Sequence, residues 1–174
     1  MAISRNTQFA VAVHVLTYLA GEGRGRTTSS DELAQSTNVN PVYVRRVLGP
    51  LRDAGLVRSH PGKHGGWELH SDAQDISLER IWRLLQGGQP VLGLHGPNPR
   101  CPVGRGVQKT LTALDHQVAD AVATELQRFT IHDVLMQGET NQKISAAANS
   151  TAFGRRTPSS LSPPDSRTIT GDSR

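Results

Sequence analysis

Residues 41–69 read PVYVRRVLGPLRDAGLVRSHPGKHGGWEL. A basic amphipathic segment runs into Ala54-Gly55-Leu56-Val57, and a glycine-studded basic hairpin follows at once. Asn40 ahead of Pro41 marks a helix start, because an Asn side chain caps the first turn and proline loses nothing where the amide lacks a partner. Val44, Val47, Leu48 and Leu51 recur at helical spacing and predict an inward face, with Tyr43, Arg45, Arg46 and Arg52 left outward. Gly49-Pro50 predicts a kink or an early stop, since an interior proline removes a hydrogen bond and clashes one turn back. Residues 56–60 and 66–70 then predict two strands joined by the turn Pro61-Gly62-Lys63-His64-Gly65. This is the pattern of a helix-turn-helix followed by a β-wing, an arrangement that meets DNA through groove and backbone together.

Working outward, residues 5–20, RNTQFAVAVHVLTYLA, predict a first helix with Phe9, Val13, Leu16 and Ala20 on one stripe and His14 as an interior histidine. Gly21, Gly23 and Gly25 end it. Ser29 with Glu32 reads as a capping box for a short second helix that stops near Asn38. On the other side, Ser77 caps a fourth helix, LERIWRLLQ, which buries Ile81, Leu84 and Leu85, while Trp67 and Trp82 read as core anchors. Residues 87–102 form a loop, and 103–129 a longer helix striped by Val107, Leu111, Leu114, Val118, Ala121, Val122 and Leu126. That stripe lies away from the compact N-terminal unit and predicts a partner helix. Thr130 and Asp133 cap a last short helix over 130–135.

The fold class is therefore mostly α with a small β-wing. It divides into a winged helix-turn-helix domain (1–86), a loop carrying Cys101 (87–102), a dimerisation helix with a short terminal helix (103–137) and a tail (138–174). The tail is rich in Ser, Thr, Pro and Asn and has no apolar period, so it cannot offset its chain entropy and reads as disordered. The net charge of the 174-residue chain is +4. Between Asn40 and Gly66 stand five cations, Arg45, Arg46, Arg52, Arg58 and Lys63, against one acid, Asp53. That local excess of four equals the net charge of the whole chain, so the charge is concentrated where a polyanion would bind. The start of the chain leads into an amphipathic helix rather than a signal peptide, and no stretch is apolar enough for a membrane span. A single cysteine gives no intrachain disulfide framework and suits a reducing cytoplasm.

With these segments in place, ISRNTQFAVAVHVLTYLA, LRDAGLVRSHPGKHGGWELHSDAQDISLERIWRLL and TIHDVL resemble the Rrf-two family of bacterial winged helix-turn-helix transcriptional regulators, relatives of IscR and NsrR. PNPRCPVGRGVQKTL resembles its single-cysteine, YwnA-like branch, and the likeness spans residues 1–137. It implies a homodimeric transcription factor, usually a repressor, whose third helix reads the major groove of an inverted-repeat operator while the wing touches the minor groove or backbone. Many members hold an iron–sulfur cluster through three cysteines in the loop before the long helix, and some add an acidic ligand from the first helix. Here that loop has only Cys101, and Gln8 stands at the matching position of the first helix. Amide oxygen is a poor iron ligand beside thiolate, so no cofactor and no metal site is expected.

The candidate DNA-binding residues are Asn40, Tyr43, Arg45, Arg46 and Arg52 on the third helix and Arg58, Lys63 and His64 in the wing. Arginine forks onto guanine O6 and N7 or clamps a phosphate, and Asn40 combines capping with a phosphate contact. Cys101, near a helix start and between Arg100 and Arg105, is placed for thiolate chemistry and is a candidate redox or electrophile sensor; the plain alternative is a small packing residue at a tight turn. Two rival functions are a winged-helix protein-interaction module that reads no DNA and a one-cysteine thiol enzyme. The clustered arginines oppose the first. The second lacks a recognisable Cys/His/acid constellation, so the chain reads as a regulator and not as an enzyme.

Overall fold

The computed structural model describes residues 5–62, 65–138 and 140. The turn residues Lys63 and His64, and residues 141–174, for which disorder was the expectation, lie outside the described residues. Among the described residues the order is α1 (Arg5–Ala20), α2 (Ser30–Thr37), α3 (Pro41–Asp53), β1 (Val57–His60), β2 (Gly66–Leu69), a 3-10 turn (Ala73–Asp75), α4 (Leu78–Gln86), α5 (Pro102–Leu126) and α6 (131–138).

Helices α2 to α6 each begin where a side chain satisfies an orphan amide. Ser29 Oγ accepts from Glu32 N at 3.1 Å, Asn40 Oδ1 from Val42 N at 2.7 Å, and Ser77 Oγ from Arg80 N at 3.1 Å. Glu32 spends its carboxylate elsewhere: it accepts from Tyr18 OH at 2.8 Å and from Arg26 Nη1 at 3.0 Å, and these bonds, the arginine's first, hold its pKa below the usual value. Thr130 and Asp133 form a reciprocal box, with Asp133 Oδ2 accepting from Thr130 N at 2.8 Å and Thr130 Oγ1 from Asp133 N at 3.2 Å. Helices α2 and α3 end in the same way. Asn38 (φ 52°) and Gly55 (φ 74°) turn left-handed, and the following residues donate back across the end, Val39 N to Ala34 O at 3.1 Å and Leu56 N to Leu51 O at 2.9 Å. These two turns set the angle from α2 into α3 and the launch of β1.

Several sequence expectations are corrected. Helix α3 runs on through Pro50 to Asp53, against an early stop at Gly49-Pro50. Pro50 is exposed and near the helix end, and Gly49 has no Cβ to strike the pyrrolidine ring. On α1 the fully buried line is Ala12, Val15, Leu16 and Leu19, whereas Phe9, Val13 and Ala20 sit at its edge. The helix is apolar on most sides, so periodicity does not choose the face; α2, α3, α4 and β2 all pack against it and do. His14 is also corrected: it is exposed, with Nε2 3.0 Å from Ser36 Oγ. Trp82 is half-buried and stands apart from the core cluster that includes Trp67. Helix α5 stops at Leu126, three residues short of the expected Phe129.

The core joins that α1 line to Leu33 and Ala34 of α2, to Val44, Val47, Leu48 and Leu51 of α3, and to Leu56, Val57, Trp67, Ile76, Ile81 and Ile131. The sheet pairs Val57 with Leu69, Arg58 with Glu68, Ser59 with Trp67 and His60 with Gly66. Thr28 adds an isolated antiparallel bridge to β2, exchanging Thr28 N→Trp67 O and Trp67 N→Thr28 O bonds of 2.8 Å each. The chain end returns to this unit: Leu78 N donates to Phe129 O at 2.9 Å and Ile131 N to Ile76 O at 3.0 Å. On α5 only Asp115 and Ala123 are buried among the described residues. Val107 and Leu114 are 43% and 44% exposed, and Leu111, Val118, Val122 and Leu126 are half-buried. The expected stripe therefore lies open along one side of the helix.

The bridge to Thr28 requires glycine at position 66, where a Cβ would fall 2.5 Å from Thr28 O. Gly66→Ala is expected to cost about 1–3 kcal/mol, the usual range for forced overpacking. Urea unfolding would measure it, and an unchanged midpoint would refute the contact.

Candidate DNA-binding surface

Helices α2 and α3 with the left-handed turn at Asn38 make the helix-turn-helix, and β1–β2 make the wing. What this surface can do depends on which cations are free. Arg45 and Arg46 are exposed on α3, while Val44, Val47, Leu48 and Leu51 anchor the opposite face in the core. Neither guanidinium has an acidic partner among the described residues, so both forks are free to bond a base edge or a phosphate. Arg52 is exposed but leans on its neighbour, with Nε and Nη2 3.1 and 2.9 Å from Asp53 Oδ1.

Two residues of the candidate set sit differently from a plain outward face. The Asn40 carbonyl is taken by the capping bond to Val42 N, which leaves its amide group for any phosphate. Tyr43, expected outward with the arginines, leans inward against the core. Its hydroxyl is buried without a hydrogen-bond partner among the described residues, and burial raises its pKa. Val42, absent from the sequence-derived set, is 65% exposed in the first turn of α3. Its signal was readable only as an apolar residue left over once the inward positions were assigned.

In the wing, Arg58 and Glu68 face each other across the sheet, with Arg58 Nη1 3.8 Å and His60 Nε2 2.9 Å from Glu68 Oε1. Arg58 Nη2 also lies 3.5 Å from His70 Nε2. The hydrogen bond from His60, with the nearby positive charges, holds the Glu68 carboxyl below its ordinary pKa. One acid thus offsets two of the wing's basic side chains. Lys63 and His64 fall outside the described residues.

Cys101 is the N-cap of α5, where its Sγ accepts from Gly104 N at 3.4 Å, and it is half-buried. Arg105, one turn on, sends its Nη1 to Pro99 O at 2.8 Å. His95 is exposed and Gln8 half-buried.

An arginine-bearing second helix, a wing locked to the helix pair and a buried anchor face define a winged helix-turn-helix DNA-binding protein. The chain belongs to the Rrf2 family, described as an iron-dependent transcriptional regulator, which matches residues 5–137. It is 36% identical over 131 residues to YwnA of Bacillus subtilis, covering 75% of this chain and 96% of YwnA. It is 31% identical over 136 residues to the HTH-type transcriptional regulator CymR of the same organism, covering 77% of this chain and 89% of CymR. The solved structure of that CymR, titled the global cysteine regulator, superposes with a TM-score of 0.55 at 28% identity, covering 79% of this chain and 98% of CymR. The protein is thus a DNA-binding transcription regulator. No helix among the described residues is long and apolar enough to cross a membrane.

The donors present do not suit the iron in the family's description. Cys101 is the one cysteine of the chain, and among the described residues no three His, Cys, Asp or Glu side chains converge on a point that could hold a metal ion. A cluster held mainly by thiolates does not fit this donor set.

The Glu68 pairing yields a prediction. A depressed carboxylate pKa means the pairing is present above the ordinary value and is lost as pH falls through the lower, folded-state value. Glu68→Gln removes it at neutral pH and frees Arg58. Affinity for random-sequence duplex is expected to rise, with the log–log salt slope steeper by about one phosphate contact. Fluorescence anisotropy across a salt series would read this out, and an unaltered slope would show that Arg58 does not reach the backbone.

Proposed function

We propose that the protein is a cytoplasmic homodimeric repressor that grips an inverted-repeat operator without an iron–sulfur cluster. The observation that carries this reading is the pair of unpartnered guanidinia, Arg45 and Arg46, on the exposed face of α3. The open apolar stripe of α5 supports the dimer: Val107 and Leu114 remain exposed in the single chain, and a second copy of α5 would bury both sets at once. Two copies would present their α3 helices about one helical turn apart, near 34 Å, on opposite half-sites. A dimer bound across a promoter excludes polymerase by its bulk.

Arg46→Ala is expected to weaken operator binding by about tenfold or more, the scale of a lost bidentate guanine contact. Arg128→Ala, which removes only an exposed partner of Glu125, should change binding less than twofold. Equal effects would end the assignment of α3. Leu114→Asp should leave each chain folded but halve the mass seen by sedimentation; a monomeric wild-type protein would end the dimer.

Redox control through Cys101 is part of the same proposal. The thiol caps the helix that carries the dimer stripe, and a relative, CymR of Staphylococcus aureus, has been solved in a form titled oxidized, at 27% identity and a TM-score of 0.53. Peroxide would oxidise the thiolate to a sulfenic acid, its O–O bond breaking with release of water, and the thiol of Cys101 of the partner subunit would condense with that acid to a disulfide, releasing a second water; either product alters the sulfur that accepts from Gly104 N and unsettles the first turn of α5. Cys101→Ser keeps a good cap. It should bind operator within about twofold of the wild type in reductant and lose any response to peroxide, read by gel shift and by non-reducing electrophoresis. A peroxide response that survives the substitution would remove Cys101 from the role.

A further inference from the structure

Among the large hydrophobic residues preceding α5 in the described chain, only Val42 is exposed, at 65%. A lone apolar side chain on a surface ordinarily means nothing. Here its position gives it meaning. Val42 stands in the first turn of α3, the end of a recognition helix that contacts base edges. Arg45 and Arg46 follow at three and four residues, so the three share one face. The next position on that face is Gly49, where a Cβ would meet nothing within 4 Å apart from its chain neighbours. No side chain there props the helix away from a groove.

The surroundings of Val42 narrow what it can read. The Asn40 carbonyl is committed to Val42 N at 2.7 Å, a bond that also fixes the Val42 backbone. The Tyr43 hydroxyl is turned inward and buried. The outer face of the first turn therefore offers a stiff β-branched aliphatic group where a hydrogen-bonding reader would otherwise stand. On the major-groove edges of the four bases, the apolar group is the C5-methyl of thymine. The free cations of Arg45 and Arg46 beside it complement the polyanion that carries that methyl.

We propose that Val42 is a specificity-determining residue that packs on the C5-methyl of one thymine in each half-site. The inference rests on the reading of α3 as the helix that enters the groove. It is tested on the full-length protein with an operator selected from random-sequence duplex. Each thymine of the half-site is replaced in turn by deoxyuridine, which deletes only the methyl and keeps every hydrogen-bonding group. One position should lose about fourfold in affinity per half-site, and about fifteenfold when both half-sites are replaced, the scale of one buried methyl each. Val42→Ala should weaken binding to the thymine operator and abolish the difference between thymine and deoxyuridine at that position, while other positions keep their profile. Val42 is exposed, so folding is unaffected, and the melting curve of the variant checks this. A flat deoxyuridine scan on a tightly bound operator overturns the proposal and leaves the regulator reading standing. Methyl sensitivity that persists in Val42→Ala also overturns it, by assigning the methyl to another residue. Failure to select any preferred duplex overturns the underlying reading of α3, and this inference with it.

Discussion

The junction at Trp67 is the constraint on which the reading head depends. Its backbone exchanges two 2.8 Å hydrogen bonds with Thr28, its indole Nε1 donates to Ser30 Oγ at 3.0 Å, and its ring is buried in the core. Thr28 and Ser30 bracket the cap of α2, so one residue of the wing holds the start of the helix-turn-helix. A hairpin of two four-residue strands is marginal by itself in water. The bridge to Thr28 adds a pair of backbone bonds on the outer edge of β2, and the indole bond satisfies a donor that burial would otherwise leave costly. The turn at Asn38 joins α3 to α2 and the turn at Gly55 joins it to β1, so the wing is linked to the helix pair both through the chain and through Trp67.

On that body, charge is allotted unevenly. Arg26 is held by Glu32, Arg52 by Asp53, Arg58 and His60 by Glu68, and Arg83 by Glu79. Arg45 and Arg46 stand apart from this pairing. Exposed ion pairs contribute little to stability, so their main effect here is on what remains unpaired. Two of the cations left without an acid thus lie side by side on the outward face of α3, where geometry as well as charge selects the contact.

Much of the fold was legible because several local signals agreed. The caps at Ser29, Asn40, Ser77 and Thr130, the inward quartet of α3 and the bounds of α4 all follow from residue chemistry within one or two turns of chain. What was not legible depended on partners far away in sequence. The buried face of α1 is chosen by four surrounding elements, so a nearly all-apolar helix cannot announce it. The passage of α3 through Pro50 depends on a missing Cβ at Gly49 and an exposed position near the helix end. The short 3-10 turn at Ala73–Asp75 follows an Asp72 cap too local to stand out. For the candidate surface, sequence placed the cations on the right elements but did not distinguish the free arginines from those already engaged. It also gave no warning that Tyr43 turns inward or that Val42 is left in the open.

The return of the chain over residues 129–131 has a mechanical consequence. Helix α5 is tied down at its far end by the bonds Phe129 makes to Leu78 and Ile131 to Ile76, and near its middle by Asp115, whose carboxylate accepts from Leu92 N at 2.6 Å. Ile76 and Ile81 are buried in the same cluster as the inner face of α3. The 76–78 splice thus ties the segment after α5 to the same buried cluster that seats the inner face of α3, so the long helix and the helix pair share one set of anchors.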